Sequence, residues 1–298
     1  HNVFRNYDKE RFGRRTMVIP TCYAESRDGL NWTKPKLRQF DFKGDGGENN
    51  ILAGVYDPMF SIDRGFGGSL RGFQAQYHAN VVLDNGVQIE KSPGPEIGTL
   101  PNKEEWAALF GASVSDQWRV MWDPLKEVYL ATLKTYAPLA GSKVPSKWRR
   151  CVTVAKSPDG VEWNMTGRVI QADLAYDAYA ETAPYRERPQ KPAWTELHDL
   201  SMQRYEQLII GLDNLLFFFG EDGSDRRELT GQHTEHFLTW SRDGVNWSRP
   251  RERAPLIPTP HGTERFGRHT LGTPFMIVQD REIRIYHDIG RGHENHTY

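Results

Sequence analysis

A seven-residue phrase that occurs three times limits what this chain can fold into. It reads SRDGLNW at 26–32, SPDGVEW at 157–163 and SRDGVNW at 241–247, each after an alternating, strand-like run. The Asp can accept hydrogen bonds from backbone N–H groups one to three residues later, and the Gly supplies a positive φ. The Trp then returns to the sheet as a large apolar side chain. The phrase therefore predicts a β-hairpin turn at each position.

The turns belong to a longer repeat. A weaker copy, Asp-Asn-Gly-Val, stands at 84–87, and plain hairpins precede the turns along the chain. Four antiparallel strands per unit, repeated at tens of residues, are typical of a propeller blade. Four such units are visible and a last one begins at Arg265. We therefore predict an all-β fold, a five-bladed β-propeller of four-stranded antiparallel blades, with 1–298 as a single domain that is truncated at both ends.

The composition and net charge of the chain limit the kinds of binding partner that can be expected. A net charge of -1 gives no electrostatic argument for nucleic acid or an anionic membrane as a partner. Aromatic residues make up 12% of the chain, which suits both a repeated structural Trp and the stacking of sugar rings. Cys22 and Cys151 lie in apolar runs, so we expect two free, buried thiols. The polar, Pro-rich segment 171–192 predicts a long surface loop.

Candidate site residues follow from the blade pattern. The first strand of each blade lines the propeller axis, so polar residues at the starts of these strands should converge on one mouth of the channel. Such positions are Glu48, Asn49 and Asn50; Asp116; Glu196, His198 and Asp199; and Arg268 and His269. Trp194, two residues before Glu196, would share its strand face and could remove water from the carboxyl group.

Paired carboxylic acids in such a ring indicate glycoside hydrolysis. One acid protonates the leaving oxygen, and the other activates water or attacks the anomeric carbon. We predict Asp116 and Glu196 as catalytic residues. The predicted substrate-binding residues are Glu48, Asn50, Trp194, His198, Asp199, Arg268 and His269.

Plainer interpretations apply to parts of this set. An Asp at the start of a strand is often only a turn or cap residue, and Asp57 and Asp123, each before a Pro, are better explained in that way. The histidines lack the spacing of a zinc site. We therefore predict no cofactor, and leave a structural or axial metal ion open.

Several segments together resemble a known group. The repeated turns, GENNI at 47–51, WDPLKEVYLATLKTY at 122–136, IPTPHGTERFG at 257–267 and IRIYHD at 283–288 resemble five-bladed β-propeller glycoside hydrolases. The nearest clan contains families 32 and 43, and especially their uncharacterised bacterial relatives. The resemblance implies three acids on the inner strands of the first three blades: a base or nucleophile, an Asp that modulates a pKa, and a Glu general acid. Asp116 matches one Asp and Glu196 matches the Glu, whereas the first-blade Asp has no match.

The expected activity is cleavage of a plant- or algal-type poly- or oligosaccharide by a secreted or periplasmic glycosidase, with carbohydrate as the partner and neither nucleic acid nor membrane. The alternative is a non-catalytic carbohydrate-binding or interaction propeller. It would be favoured if the Asp116 and Glu196 carboxyl groups lay more than roughly 10 Å apart. A sialidase-like enzyme ranks last, because only Arg268 and Arg291 could join the required trio of arginines.

Overall fold

The computed structural model describes most of the repeated sheets. The described residues are 20–42, 44–56, 59–62, 70–74, 79–84, 88–93, 118–141, 149–160, 163–182, 193–219, 233–258, 269–271, 274–279, 281–287 and 289–291. The chain divides into two compact units, His1–Pro95 and Glu96–Tyr298. The single domain over 1–298 stays a prediction.

The first unit contains two antiparallel sheets among its described residues. Its strands are β1 (Pro20–Cys22), β2 (Ile51–Tyr56), β3 (Met59–Ile62), β4 (Leu70–Gln74), β5 (Ala79–Asp84) and β6 (Gln88–Pro93). Strands β1 and β2 pair with each other, and β3 to β6 form a four-stranded sheet in chain order. Asp84 pairs with Gln88, so β5 and β6 are antiparallel neighbours, while residues 85–87 of the weaker turn copy lie outside the described residues.

The second unit contains two further four-stranded sheets. The first consists of β7 (Trp118–Asp123), β8 (Val128–Ala137), β9 (Arg149–Ser157) and β10 (Asn164–Gln171). The second consists of β11 (Ala193–Tyr205), β12 (Leu208–Phe219), β13 (His233–Ser241) and β14 (Trp247–Ser248). In each sheet the strands are antiparallel and follow chain order. The repeated phrase connects the third strand to the fourth in both, which is the predicted position.

Two short pairings complete the described strands of this unit: β15 (His269–Leu271) with β18 (Ile289–Arg291), and β16 (Phe275–Gln279) with β17 (Glu282–Tyr286). The antiparallel four-stranded sheets confirm the predicted all-β class. The number of blades stays a prediction.

The three copies of the turn share their local hydrogen bonds. In each copy the Gly N–H donates to the Ser hydroxyl at 2.8–2.9 Å, and the indole N–H donates to the Gly carbonyl at 3.0–3.2 Å. The three glycines have φ values of 72°, 74° and 75°. In the first and third copies the Asp also accepts backbone N–H bonds from two and three residues on, at 2.8 Å. The predicted turn geometry is confirmed.

Burial of the turn tryptophans differs between copies. Trp163 is buried and Trp247 is half-buried, so each returns to its sheet as predicted. Trp32 is 44% exposed, and the prediction of an apolar plug is wrong for this copy.

The two cysteine thiols also differ in burial. Cys151 is buried, and burial raises the pKa of its thiol to about 12, whereas Cys22 is exposed, against expectation.

The segment predicted as a long surface loop contains a helix, α1 (Leu174–Thr182). Asp173 caps it, because its Oδ1 accepts the N–H groups of Ala175 and Tyr176 at 3.1 and 3.2 Å. Tyr176 and Ala180 are buried. The loop prediction is therefore wrong for the first half of 171–192, and residues 183–192 lie outside the described residues.

Helix α1 closes the main hydrophobic core of the second unit. This core joins β9, β10, α1, β11, β12 and β13 through Val152, Val154, Ile170, Ala172, Tyr176, Ala180, Leu197, Leu200, Leu215, Phe217 and Phe237. At its edge the Arg249 guanidinium binds Asp213 at 2.6 Å and lies over the Tyr176 ring. Burial, assisted by the Asp213 carboxylate, raises the pKa of the Tyr176 hydroxyl.

Candidate functional site

Strand β11 carries most of the described site residues. Trp194 lies opposite Phe218 of β12, and Leu197 lies opposite Leu215. The register then shifts, so that Asp199 is opposite Asn214. The shift makes His198 the extra residue of a β-bulge, a device that redirects side chains and is frequent beside functional sites.

The bulge determines which side chains share a face. Asp199 is three positions after Glu196, and regular alternation would place the two on opposite faces of the sheet. With the extra residue between them, Asp199 takes the same face as Glu196 and Trp194. The opposite face packs into the main core, since Leu197 and Leu200 on either side of the bulge both belong to it.

Both carboxylates are buried beside basic side chains. Glu196 and Asp199 are 1% and 2% exposed. Glu196 Oε2 lies 3.5 Å from Arg150 Nε, and Asp199 Oδ2 lies 3.2 Å from Arg119 Nη2 and 3.5 Å from His198 Nδ1. The side chains of Arg119, Arg150 and His198 are each 23–25% exposed. They form a half-buried basic rim above two buried acids.

Aromatic side chains surround the start of this face. The Trp194 ring stacks on Phe218 with centroids 5.3 Å apart and an interplanar angle of 12°. Leu216, opposite Glu196, belongs to the same buried cluster. The Arg150 guanidinium lies 6.0 Å from the Phe218 ring centroid. Glu196 therefore occupies a buried setting beside Arg150 and several apolar groups, with Trp194 on its own face as the sequence predicted.

A polar row crosses the sheet from Asp199. Asn214 pairs with Asp199 on one side and with His236 of β13 on the other. The His236 ring centroid lies 6.2 Å from that of His287. Sequence reasoning missed Asn214 and His236. A signal existed for Asn214, because Asp213-Asn214 interrupts the otherwise apolar run of β12.

The remaining predicted residues belong to other elements or lie outside the described residues. In the first unit, exposed Glu48 accepts hydrogen bonds from Lys36 and Arg38, and the Lys36 bond lowers the pKa of this carboxyl. Asn50 donates to the Tyr23 carbonyl at 2.5 Å. Asp116 and Arg268 lie outside the described residues. His269 is described only as a strand residue opposite Arg291.

Two further properties concern the described part of the chain. It contains no group of three or more His, Cys, Asp or Glu residues arranged to hold a metal ion. Its helix is too short to cross a membrane.

Comparison with known proteins gives few matches. No family model matches the chain, and no curated protein matches it. One solved structure that does match is a β-fructofuranosidase of glycoside hydrolase family 32 from Bombyx mori, a mutant in complex with sucrose. The identity is 12% and the TM-score is 0.37, over 75% of this chain and 43% of that chain. This chain thus spans less than half of the length of that structure, and a likeness at this level carries no argument about its reaction.

Proposed function

We propose that the protein is a glycoside hydrolase with Glu196 as its general acid, built on a five-bladed β-propeller. The observation that supports this best is the bulge at His198. It places two buried carboxyl groups, Glu196 and Asp199, on one strand face below a rim that reaches solvent. Glycoside hydrolases use paired carboxyl groups, one of which is often kept in an apolar setting.

The buried, largely apolar surroundings of Glu196 suit this chemistry, because burial favours the protonated form of a carboxyl group. Glu196 would protonate the leaving glycosidic oxygen, and Asp116 would act as the base or modulator, as the family resemblance implies. Arg150 and Arg119 each hold one carboxylate, so Glu196 and Asp199 keep defined positions toward a bound sugar. The proposed substrate is a plant- or algal-type poly- or oligosaccharide, and the proposed location is therefore secreted or periplasmic.

The test is hydrolysis of a panel of plant and algal poly- and oligosaccharides by wild type and Glu196→Gln. Loss of general acid–base catalysis should lower kcat by about 10²- to 10⁴-fold. A matched control is Glu235→Gln. Glu235 is also buried in this sheet, but it pairs with Leu215, lies on the opposite face and accepts a hydrogen bond from Tyr179 at 2.9 Å. That variant should keep wild-type kcat, and a Glu196→Gln protein as active as wild type would refute the assignment.

A second candidate is a non-catalytic carbohydrate-binding propeller. The ion pairs favour it, because each buried carboxylate already lies beside an Arg, as in a site built for binding. In that case the wild type would bind glycans on an array and hydrolyse none of the panel, and Glu196→Gln would weaken binding. A wild-type protein that neither binds nor hydrolyses any glycan contradicts both proposals.

A further inference from the structure

Asn214 lies in the middle of β12 with one polar atom unused. Its side chain is 2% exposed, and its Oδ1 accepts no hydrogen bond from the described residues. Nearly all buried polar atoms in proteins have a partner, since an unmade bond to a buried acceptor is costly. A buried, unpartnered amide oxygen therefore requires an explanation.

The position of Asn214 points to the site. Directly opposed residues of antiparallel strands have Cβ atoms about 4.5–5.5 Å apart and share a face. Asn214 is opposite Asp199, so its amide belongs to the face that carries Glu196 and Asp199. His236 follows on the next strand. The unused acceptor thus lies beside the carboxylates of the proposed active site, away from the apolar core on the opposite face.

The described charges and the unused acceptor together indicate the kind of ligand. Among the described residues Arg150 faces Glu196 and Arg119 faces Asp199, so each of these two carboxylates already lies beside a guanidinium group. The unused atom is an acceptor and calls for a donor such as a hydroxyl group. We propose that Asn214 is a substrate-binding residue whose Oδ1 accepts a hydrogen bond from a hydroxyl group of an uncharged sugar. This inference rests on the proposed function and names the substrate class of the same site.

The decisive variant is Asn214→Leu, which keeps the branched shape of the side chain and removes the amide with its acceptor. On a glycan that the wild type hydrolyses, KM should rise about 10-fold with little change in kcat, since the lost bond serves binding. The melting temperature should rise by about 2–4 °C, because an apolar side chain removes a buried unsatisfied group. A merely structural role for Asn214 predicts the reverse: a lower melting temperature and an unchanged KM.

A second measurement compares ligand binding by the wild type and by Asn214→Leu. Saturation-transfer NMR compares two matched pairs, glucose with glucuronate and galactose with galacturonate, which differ in one carboxylate. We expect the neutral member of at least one pair to bind, and that signal to disappear in Asn214→Leu. Equal or stronger binding of both acidic members overturns the inference.

The outcomes separate this inference from the proposed function. If the wild type is active and Asn214→Leu leaves its KM unchanged, the inference about Asn214 is refuted and the proposed hydrolase function still stands. If the wild type hydrolyses no glycan and binds neither pair of sugars, both the inference and the proposed function are refuted.

Discussion

The turns at 26–32 and 157–163 have the same local structure and different surroundings. In both, the Gly N–H bonds the Ser hydroxyl at 2.8 Å and the indole N–H bonds the Gly carbonyl at 3.2 Å. Yet Trp163 is 1% exposed and Trp32 is 44% exposed. Seven residues are enough to specify the turn, but its contribution to stability depends on what the rest of the chain packs against the Trp.

The third copy, at 241–247, shows how deeply such a turn can enter a core. Trp247 packs against both the main core and a smaller cluster that includes Leu130 and Ile209. A Cβ added at Gly244 would clash with Leu130 Cδ1 and would meet Ile209 Cδ1 at 3.2 Å. Here the absence of a side chain serves packing as well as backbone conformation.

The largest difference between the copies should come from removing the indole. Trp163→Ala should lower the free energy of unfolding by about 3–5 kcal/mol, because it leaves a cavity in a closed core. Trp32→Ala should change it by about 0.5 kcal/mol or less, as is usual at exposed positions. Chemical denaturation followed by circular dichroism measures both values, and Trp163→Phe, which keeps most of the volume, should lie between them. Equal losses at Trp32 and Trp163 would contradict this account of burial.

A smaller loss of stability should come from substitution of the turn glycine in the third copy. Gly244→Ala adds a clash with Leu130 to the cost of a positive φ, and overpacking of this kind costs about 1–3 kcal/mol. Gly167→Ala is the matched control, because Gly167 has a φ of 68° and open space at its Cβ position. Thermal melting should show a larger loss for Gly244→Ala. If the two variants have the same melting temperature, the positive φ alone explains why glycine is needed at both positions.

The smallest difference should appear in acid. Hydrogen bonds from Asn31 and Leu30 hold the pKa of exposed Asp28 below its ordinary range. Burial raises the pKa of Asp243, but hydrogen bonds from Asn246 and Val245 outweigh it and the net pKa is also low. A lowered pKa in the folded state stabilises the protein above the unfolded-state value, near 3.9, and that contribution is lost as the pH falls through the folded value.

NMR titration should therefore find both carboxyl groups still ionised at pH 3.9. Asp243→Asn should lower the melting temperature at neutral pH and have less effect in acid, with a weaker trend for the exposed Asp28→Asn. An ordinary pKa at either position would show that its turn is not formed in solution.

The sequence of helix α1 contains a helix-start signal that the neighbouring Pro-rich residues outweighed in the prediction. Asp173 followed by Leu174 and several alanines is a good helix start. The Pro-rich second half of 171–192 favoured a loop for the whole segment. Hairpins were easier to predict, because turn chemistry and strand alternation are both local properties of the sequence.

The candidate site also contains a part that local sequence properties predict and a part that they do not. The period of two in a strand is enough to place Trp194 on the same face as Glu196, so this part could be predicted. The presence of Asp199 on this face could not be predicted. The face that Asp199 takes depends on the bulge at His198, and a bulge is defined by the register with β12. The partners Arg119, Arg150 and Asn214 come from three other strands. The sequence by itself therefore determined the turns, the strands and the acids, whereas strand pairing across the sheets decided which acids meet and what surrounds them.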